Sequence, residues 1–207
     1  MHILADSLGP EATYKLLTGV VVPRPIAWVT TLSTAGVVNL APFSAFTFVS
    51  NKPPMVGINV GRKAGQMKDT GRNIHDTAEF VVNIADETMI EPVHLSAIEY
   101  PPEVSEAGLL GLSLVPGTSV RVPRLAIAPI SLECRLHRVI GFGDTGSEFI
   151  VGEIIVYHVR DGLLENGKIY SASLRPICRI GGPNYAKLGE IVRMNPIAQT
   201  EKTVIDL

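Results

Sequence analysis

The sequence predicts a mainly β protein: a small closed barrel of antiparallel strands with short helical insertions. Three observations carry that expectation. Residues 128–140 alternate, with Ile130, Leu132, Cys134 and Leu136 against Ser131, Glu133, Arg135 and His137, and 148–159 (EFIVGEIIVYHV) reads as the partner in a long hairpin. The 15 Pro and 19 Gly are spread along all 207 residues, which suits many short elements joined by turns. Long strand-like segments also follow one another without the crossover helices that parallel pairing requires.

The elements are expected in the following order. Residues 11–18 form a short helix that stops at Gly19. The run 25–32 (PIAWVTTL) is β-branched and aromatic and reads as a strand, turned at Ala35-Gly36 and returned by 37–40. Residues 44–50 (SAFTFVS) form a half-buried strand that Lys52-Pro53-Pro54 ends, and 55–60 form another. A helix over 68–77 leads into the strand 79–84 (EFVVNI). Residues 87–98 read as helix, the Tyr100-Pro101-Pro102 breaker follows, and 104–111 form a short helix or loop. After the long hairpin, 175–180 give a last strand before a polar tail with Arg193, Asn195 and Lys202.

Composition narrows the function classes. With 46% hydrophobic and 18% charged residues the chain is not disordered. Chains of this length bury roughly 70% of their unfolded surface, so 1–207 reads as a single domain. Lys+Arg 18 against Asp+Glu 20 gives a net charge of −2, which offers no general attraction to nucleic acid or anionic lipid. So low a charge content implies apolar surface buried against a second copy of the chain. Cys134 and Cys178 form no CxxC and read as small hydrophobes in a reducing compartment. The first ten residues carry Asp6 and no basic stretch before an apolar run, so no secretory signal is expected. No apolar stretch reaches the ~18 residues of a membrane span, and a cytoplasmic location is expected.

Several motifs carry less than they promise. Gly141, Gly143 and Gly146 spell GxGxxG, but the strand-like 148–159 follows where a dinucleotide site needs a helix, so this is a hairpin turn. The five histidines show no HExxH; His137 and Glu133 share a strand face without further ligands, and His158 reads as structural. There is no GxSxG elbow and no P-loop lysine, so no catalytic side chain and no metal site is named.

Two segments stand out. Residues 62–72 gather Arg62, Lys63, Lys68 and Arg72 between a strand and a helix, with Asp69 or Thr70 placed as N-cap and Gly71 allowing close approach. Free amides at a helix start, a Thr hydroxyl and nearby cations make a phosphate cradle; a solvated basic helix start has the same composition. Residues 39–44 (NLAPFS) place Pro42 between small residues, either a loop presenting backbone groups with Asn39 and Ser44 to a planar ligand, or a β-bulge or turn.

Together these segments resemble the flavin reductase-like FMN-binding split-barrel family, in its flavoredoxin-like branch. The matching pieces are 24–58 (RPIAWVTTLSTAGVVNLAPFSAFTFVSNKPPMVGI), 68–74 (KDTGRNI), 79–84 (EFVVNI) and 175–189 (RPICRIGGPNYAKLG), in order over most of the chain. The resemblance implies a Greek-key split β-barrel with short helical insertions, a homodimer, and FMN near the interface. It implies that Asn39, Ala41, Pro42, Phe43 and Ser44 run along the flavin ring, and that Trp28, Thr30 and Thr31 lie on the strand beneath it. Arg62, Lys68, Asp69 and Thr70 then surround the phosphate, with Asp69 capping the helix or orienting Lys68, since a carboxylate repels a dianion. Tyr185 stacks near the flavin or donor, or packs the C-terminal segment.

The implied activity is an NAD(P)H-dependent flavin reductase, in which NADH or NADPH passes hydride to flavin N5. The cofactor carries that chemistry and the protein supplies binding and orientation, which agrees with the lack of a catalytic constellation. The alternative within the resemblance is a bound-FMN electron-transfer protein reduced by a protein partner. A monooxygenase or other redox protein is the implied partner for the electrons. A third reading is a non-catalytic barrel binding some other phosphorylated ligand.

Overall fold

The computed structural model describes residues 1–203. Seven strands form one antiparallel sheet: β1 (Ala27–Leu32), β2 (Val38–Phe43), β3 (Phe46–Asn51), β4 (Pro54–Val60), β5 (Glu79–Ile84), β6 (Ile130–Phe142) and β7 (Ser147–Val159). Their spatial order is β2-β1-β5-β6-β7-β4-β3. β2 and β3 are consecutive in sequence yet lie at opposite edges, so two residues, Ser44 and Ala45, carry the chain from one edge to the other. Asn59 N–H donates to Ala45 O there at 2.8 Å. The sheet thus curls round to a split barrel, closed by a covalent link at a place where no ladder runs.

Burial on two faces follows from the period of two along each strand. On β1, Ala27 and Val29 point into the barrel with Val56, Ile58, Phe80, Val82, Ile150 and Ile154. Trp28 points the other way, into a second cluster with Leu40, Met89, Val93, Ala107 and Leu125 beneath the insertions. Glycines make room for rings: a Cβ on Gly152 would lie 2.3 Å from Cζ of buried Phe80, and one on Gly57 2.1 Å from Cζ of Phe149. Buried Asn83, one of several buried polar residues, is satisfied, donating to Trp28 O at 3.0 Å and accepting from Leu125 N and Ser131 Oγ at 3.0 and 2.9 Å.

The insertions are α1 (Pro10–Val20), α2 (Asp69–Thr77), α3 (Ile90–Leu95, behind a 3-10 turn at Glu87–Met89) and α4 (Glu106–Leu109). The helix expected over 87–98 is therefore broken, with the 3-10 turn capped by the Asp86 carboxylate on Thr88 N–H at 3.0 Å. The expected strand 25–32 is divided. Arg24–Pro25 pairs with Ile177–Arg179, which in turn pairs with Tyr185–Lys187, and only Ala27–Leu32 joins the barrel. The segment 39–44, read as a ligand-presenting loop or as a bulge or turn, is regular strand up to Phe43 and bends only at Ser44 and Ala45. Asn39 to Phe43 pair in unbroken register with Thr31 to Ala27, and Pro42 is tolerated because β2 is an edge strand. The GFGDTG segment is a hairpin turn between β6 and β7, with Gly143 and Gly146 at φ of 61° and 71°. No described helix is long and apolar enough to cross a membrane.

Candidate functional site

The start of α2 is the most polar part of the basic segment. Lys68 occupies the N-cap position in an extended conformation, and no side chain caps the helix. The first-turn amides of Asp69, Thr70 and Gly71 therefore have no intrahelical partners. Asp69 sits inside the first turn, where its carboxylate pairs with Arg72. Thr70 is buried, and its hydroxyl accepts a 2.9 Å hydrogen bond from the Asn39 amide on β2. The expected capping by Asp69 or Thr70 is thus corrected: both side chains are engaged elsewhere. Gly71 faces Met67 Cγ and Val60, 3.2 and 3.6 Å from where a Cβ would stand, so its lack of a side chain serves packing.

Of the four cations in this segment, Arg62 donates to Glu148 and Gly146 O, at 2.8 and 2.9 Å, and Lys63 pairs with Glu99 at 3.2 Å. Arg72 holds Asp69. Lys68 alone has no carboxylate partner among the described residues.

Lys68, Asp69 and Thr70 line a cleft of about 510 Å³ together with Lys63 and Arg72 and with Asn39, Ala41, Pro42 and Phe43 of β2. The segment 96–102 also lines it. Glu106 lines it too; it is only 6% exposed, and its Oε2 accepts the Leu40 N–H at 2.8 Å. Burial pushes its carboxyl above the ordinary value, the Leu40 bond opposes this, and the Asp69 charge adds a smaller upward push.

The structure thus brings together Asn39, Ala41, Pro42, Phe43, Lys68, Asp69 and Thr70 from the sequence-derived set. Three others lie behind the cleft. Trp28 is fully buried with its indole N–H on Ser96 Oγ at 2.9 Å, and Thr30 donates to Pro123 O at 2.7 Å. Thr31 accepts from Asn73 at 3.0 Å and more weakly from Asn39 at 3.4 Å. These residues hold the β1 strand and α2 in place. Arg62 is turned toward the β6–β7 hairpin and does not line the cleft. Ser44 and Tyr185 line a neighbouring cleft with Arg24 and Arg179. Glu106 and the 96–102 wall carry no local sequence signal, since their place depends on a strand more than 50 residues away.

The remaining charged cluster is structural. Glu133 is fully buried and accepts from Thr118, Ser119 and Val120 N–H at 2.6, 2.6 and 3.1 Å and from His158 at 2.6 Å. Burial alone would raise its carboxyl, but these donors outweigh it and hold it below the ordinary range. Bulges after Glu133 and Leu136 leave His137 exposed and away from this cluster. No group of three or more metal-ligating side chains exists among the described residues. Cys134 is buried and Cys178 partly so, and burial raises the Cys134 thiol.

Residues 19–175 match the sequence model of the flavin reductase like domain. An uncharacterized protein of Halalkalibacterium halodurans is 47% identical over 195 residues, spanning 92% of this chain and 93% of its own. The crystal structure of nitrilotriacetate monooxygenase component B from Bacillus cereus superposes with a TM-score of 0.91 at 39% identity, over 94% of this chain and 98% of that one. That of Pseudomonas fluorescens 2-nitrobenzoate 2-nitroreductase gives 0.86 at 36% identity, over 94% and 95%.

Proposed function

The chain belongs to the flavin reductase-like family, and from that premise we propose that it is an FMN-binding oxidoreductase that uses NADH or NADPH as electron donor. The observation that carries the reading is the start of α2: its N-terminus has no side-chain cap, and Lys68, which has no carboxylate partner among the described residues, lines one cleft with Thr70. Those groups fit a phosphate monoester. The rest of the cleft, lined by β2 and by 96–102, offers the volume for a planar ring on a ribityl chain.

In this reading Lys68 and the first-turn amides hold the phosphate. Asp69 is kept from repelling it by its pairing with Arg72. Asn39 orients the Thr70 hydroxyl by donating to its oxygen, which leaves the hydroxyl proton free for the ligand. Ala41, Pro42 and Phe43 offer backbone and apolar contacts to the ring edge. FMN, when bound, supplies the electron-transfer chemistry, and the residues bind, orient and exclude water.

The same proposal includes a homodimer. Helix α1 has no buried residue, and Leu16, Leu17 and Val20 are exposed along it, which supports a face covered by a second copy. The likeness to a monooxygenase component supports a redox protein as eventual recipient of the electrons.

The test is a visible spectrum of the purified protein after saturation with FMN and desalting, followed by anaerobic addition of NADH and of NADPH. A retained flavin band that either nucleotide bleaches rapidly is the expected outcome. A band that neither nucleotide bleaches would favour the electron carrier, and the absence of any FMN binding by titration would overturn the flavin reading.

A further inference from the structure

Six charged side chains line the cleft: Lys63, Lys68 and Arg72 against Asp69, Glu99 and Glu106. Four of them cancel in pairs, Arg72 with Asp69 and Lys63 with Glu99. Lys68 and Glu106 are left, and neither has an ion-pair partner among the described residues. The net charge of the cleft therefore turns on one proton. With Glu106 ionised the charges balance; with Glu106 protonated the positive charge of Lys68 stands alone.

Glu106 is the only one of the six that is buried. It opens α4, which packs against β2, and its neighbour Ala107 is buried in the cluster of Trp28 and Leu40. The donors to its carboxyl are the Leu40 N–H, at 2.8 Å, and its own N–H. β2 carries no titratable side chain. From the start of α2 the charge of Asp69 acts on Glu106, with Lys68 and Arg72 on the same cleft; Lys63, Glu99 and Tyr100 complete the titratable groups there. Burial is the largest influence on this carboxyl and pushes it above its ordinary value, and Asp69 pushes the same way. A second negative charge brought into the cleft adds to that push.

We propose that Glu106 determines the charge specificity of the cleft: a phosphate dianion binds with uptake of one proton onto the Glu106 carboxyl, which spares the ligand a buried anion beside it. The proposal rests on the phosphate reading of the start of α2 and deepens it. The proton comes from solvent, forms the carboxyl O–H and returns to solvent when the ligand leaves. By linkage, the ligand tightens the hold on the proton by the same factor as the proton tightens the hold on the ligand. Affinity for the dianion is therefore full below the free protein's Glu106 value. It falls by up to about tenfold per pH unit above that value, and levels off past the value in the complex. The second ionisation of the phosphate itself, near a pH of about 6, works with the opposite sign, because the dianion binds better than the monoanion.

The experiment is isothermal titration with FMN from pH 5 to pH 8, in two buffers of different ionisation enthalpy, on the wild type and Glu106→Gln. The two buffers count the protons exchanged, and riboflavin on the wild type is the control without a phosphate. E106Q keeps an acceptor for Leu40 N–H and cannot be ionised. It is expected to bind FMN at least about threefold more tightly than the wild type at pH 8, the ratio shrinking toward one at pH 5. The wild type is expected to take up more protons than E106Q on binding FMN, and none on binding riboflavin. The wild-type count stands even if E106Q fails to fold. FMN bound with equal affinity and equal proton exchange in both proteins overturns the proposal and leaves the flavin reading in place. So does E106Q binding more weakly at every pH, which would make the carboxylate a contact or a structural prop. Equal proton uptake with riboflavin overturns it too, since the phosphate would not be the cause. No FMN binding by either protein at any pH overturns the flavin reading, and this proposal with it.

Discussion

The side-chain amide of Asn39 donates to the Thr70 hydroxyl at 2.9 Å, joining an edge strand of the barrel to the first turn of a helix 31 residues later. One bond thereby fixes the β2 side of the cleft against the start of α2. The double substitution Lys68→Ala with Thr70→Ala should weaken FMN at least tenfold, because charge-assisted bonds to phosphate contribute about 1.5–3 kcal/mol each. Fluorescence-quenching titration measures this, with riboflavin as control. Riboflavin should bind weakly to the wild type and be little affected by the double substitution.

Arg62 belongs to the same basic stretch but is committed to Glu148 and Gly146 O. Arg62→Ala should therefore leave FMN affinity within about threefold and instead loosen the end of the β6–β7 hairpin, by about 1 kcal/mol or less for a partly exposed pair. Titration and thermal unfolding of this variant separate the two roles. A tenfold loss of FMN with unchanged stability would place Arg62 at the phosphate after all.

Glu133 should set part of the acid limit of stability. Its carboxyl is held below the ordinary 4.5, so its contribution is fully present above that value and disappears as pH falls through the lower folded one. Glu133→Gln must place an amide N–H against backbone donors. The substitution should lower stability at pH 7 by about 1–3 kcal/mol. Denaturant unfolding as a function of pH checks both statements, and the difference between the two proteins should shrink on acidification.

Glu106 carries the opposite sign. Burial raises its folded value above 4.5, so the wild type loses stability as pH rises from below 4.5 through that higher value. Glu106→Gln keeps an acceptor for Leu40 N–H and removes the titration. Its stability relative to wild type should rise between pH 4 and pH 7, as followed by thermal melts in a series of buffers; a flat difference would mean that the carboxyl is not desolvated in solution.

Gly152→Ala tests the barrel interior. The added Cβ would stand 2.3 Å from a ring atom of the fully buried Phe80 and 3.1 Å from Cys134 Cβ. A loss of about 1–3 kcal/mol is expected from overpacking. The companion change Phe80→Leu should restore part of it in a double-mutant cycle.

Much of the barrel was legible because its strands alternate and its turns carry Gly and Pro. EFVVNI is strand from Glu79 to Ile84 as expected, and the hairpin of 128–140 with 148–159 is shifted by only a residue or two. The basic helix start stood out because its unusual residues lie close together in sequence, and the structure does bring Lys68, Asp69 and Thr70 to one cleft. What could not be read is what distant chain does to single side chains. Arg62 meets Glu148 across 86 residues, Trp28 finds Ser96 across 68, and Glu106 reaches Leu40 across 66. Nothing local distinguishes a lysine left free, such as Lys68, from arginines that tertiary structure has already paired.

The outer edge of β2 has a further property. Along an antiparallel strand alternate residues turn their amides away from the neighbour, and Leu40 is such a residue because its N–H meets Glu106. Two residues on, the same position is Pro42, which has no N–H to give. An incoming strand would therefore find no free donor at Leu40 or at Pro42, which weakens pairing along the middle of this edge. The carbonyls on that border keep their lone pairs. In the flavin reading, those carbonyls are the acceptors that the border offers to a flat ring bearing its own N–H.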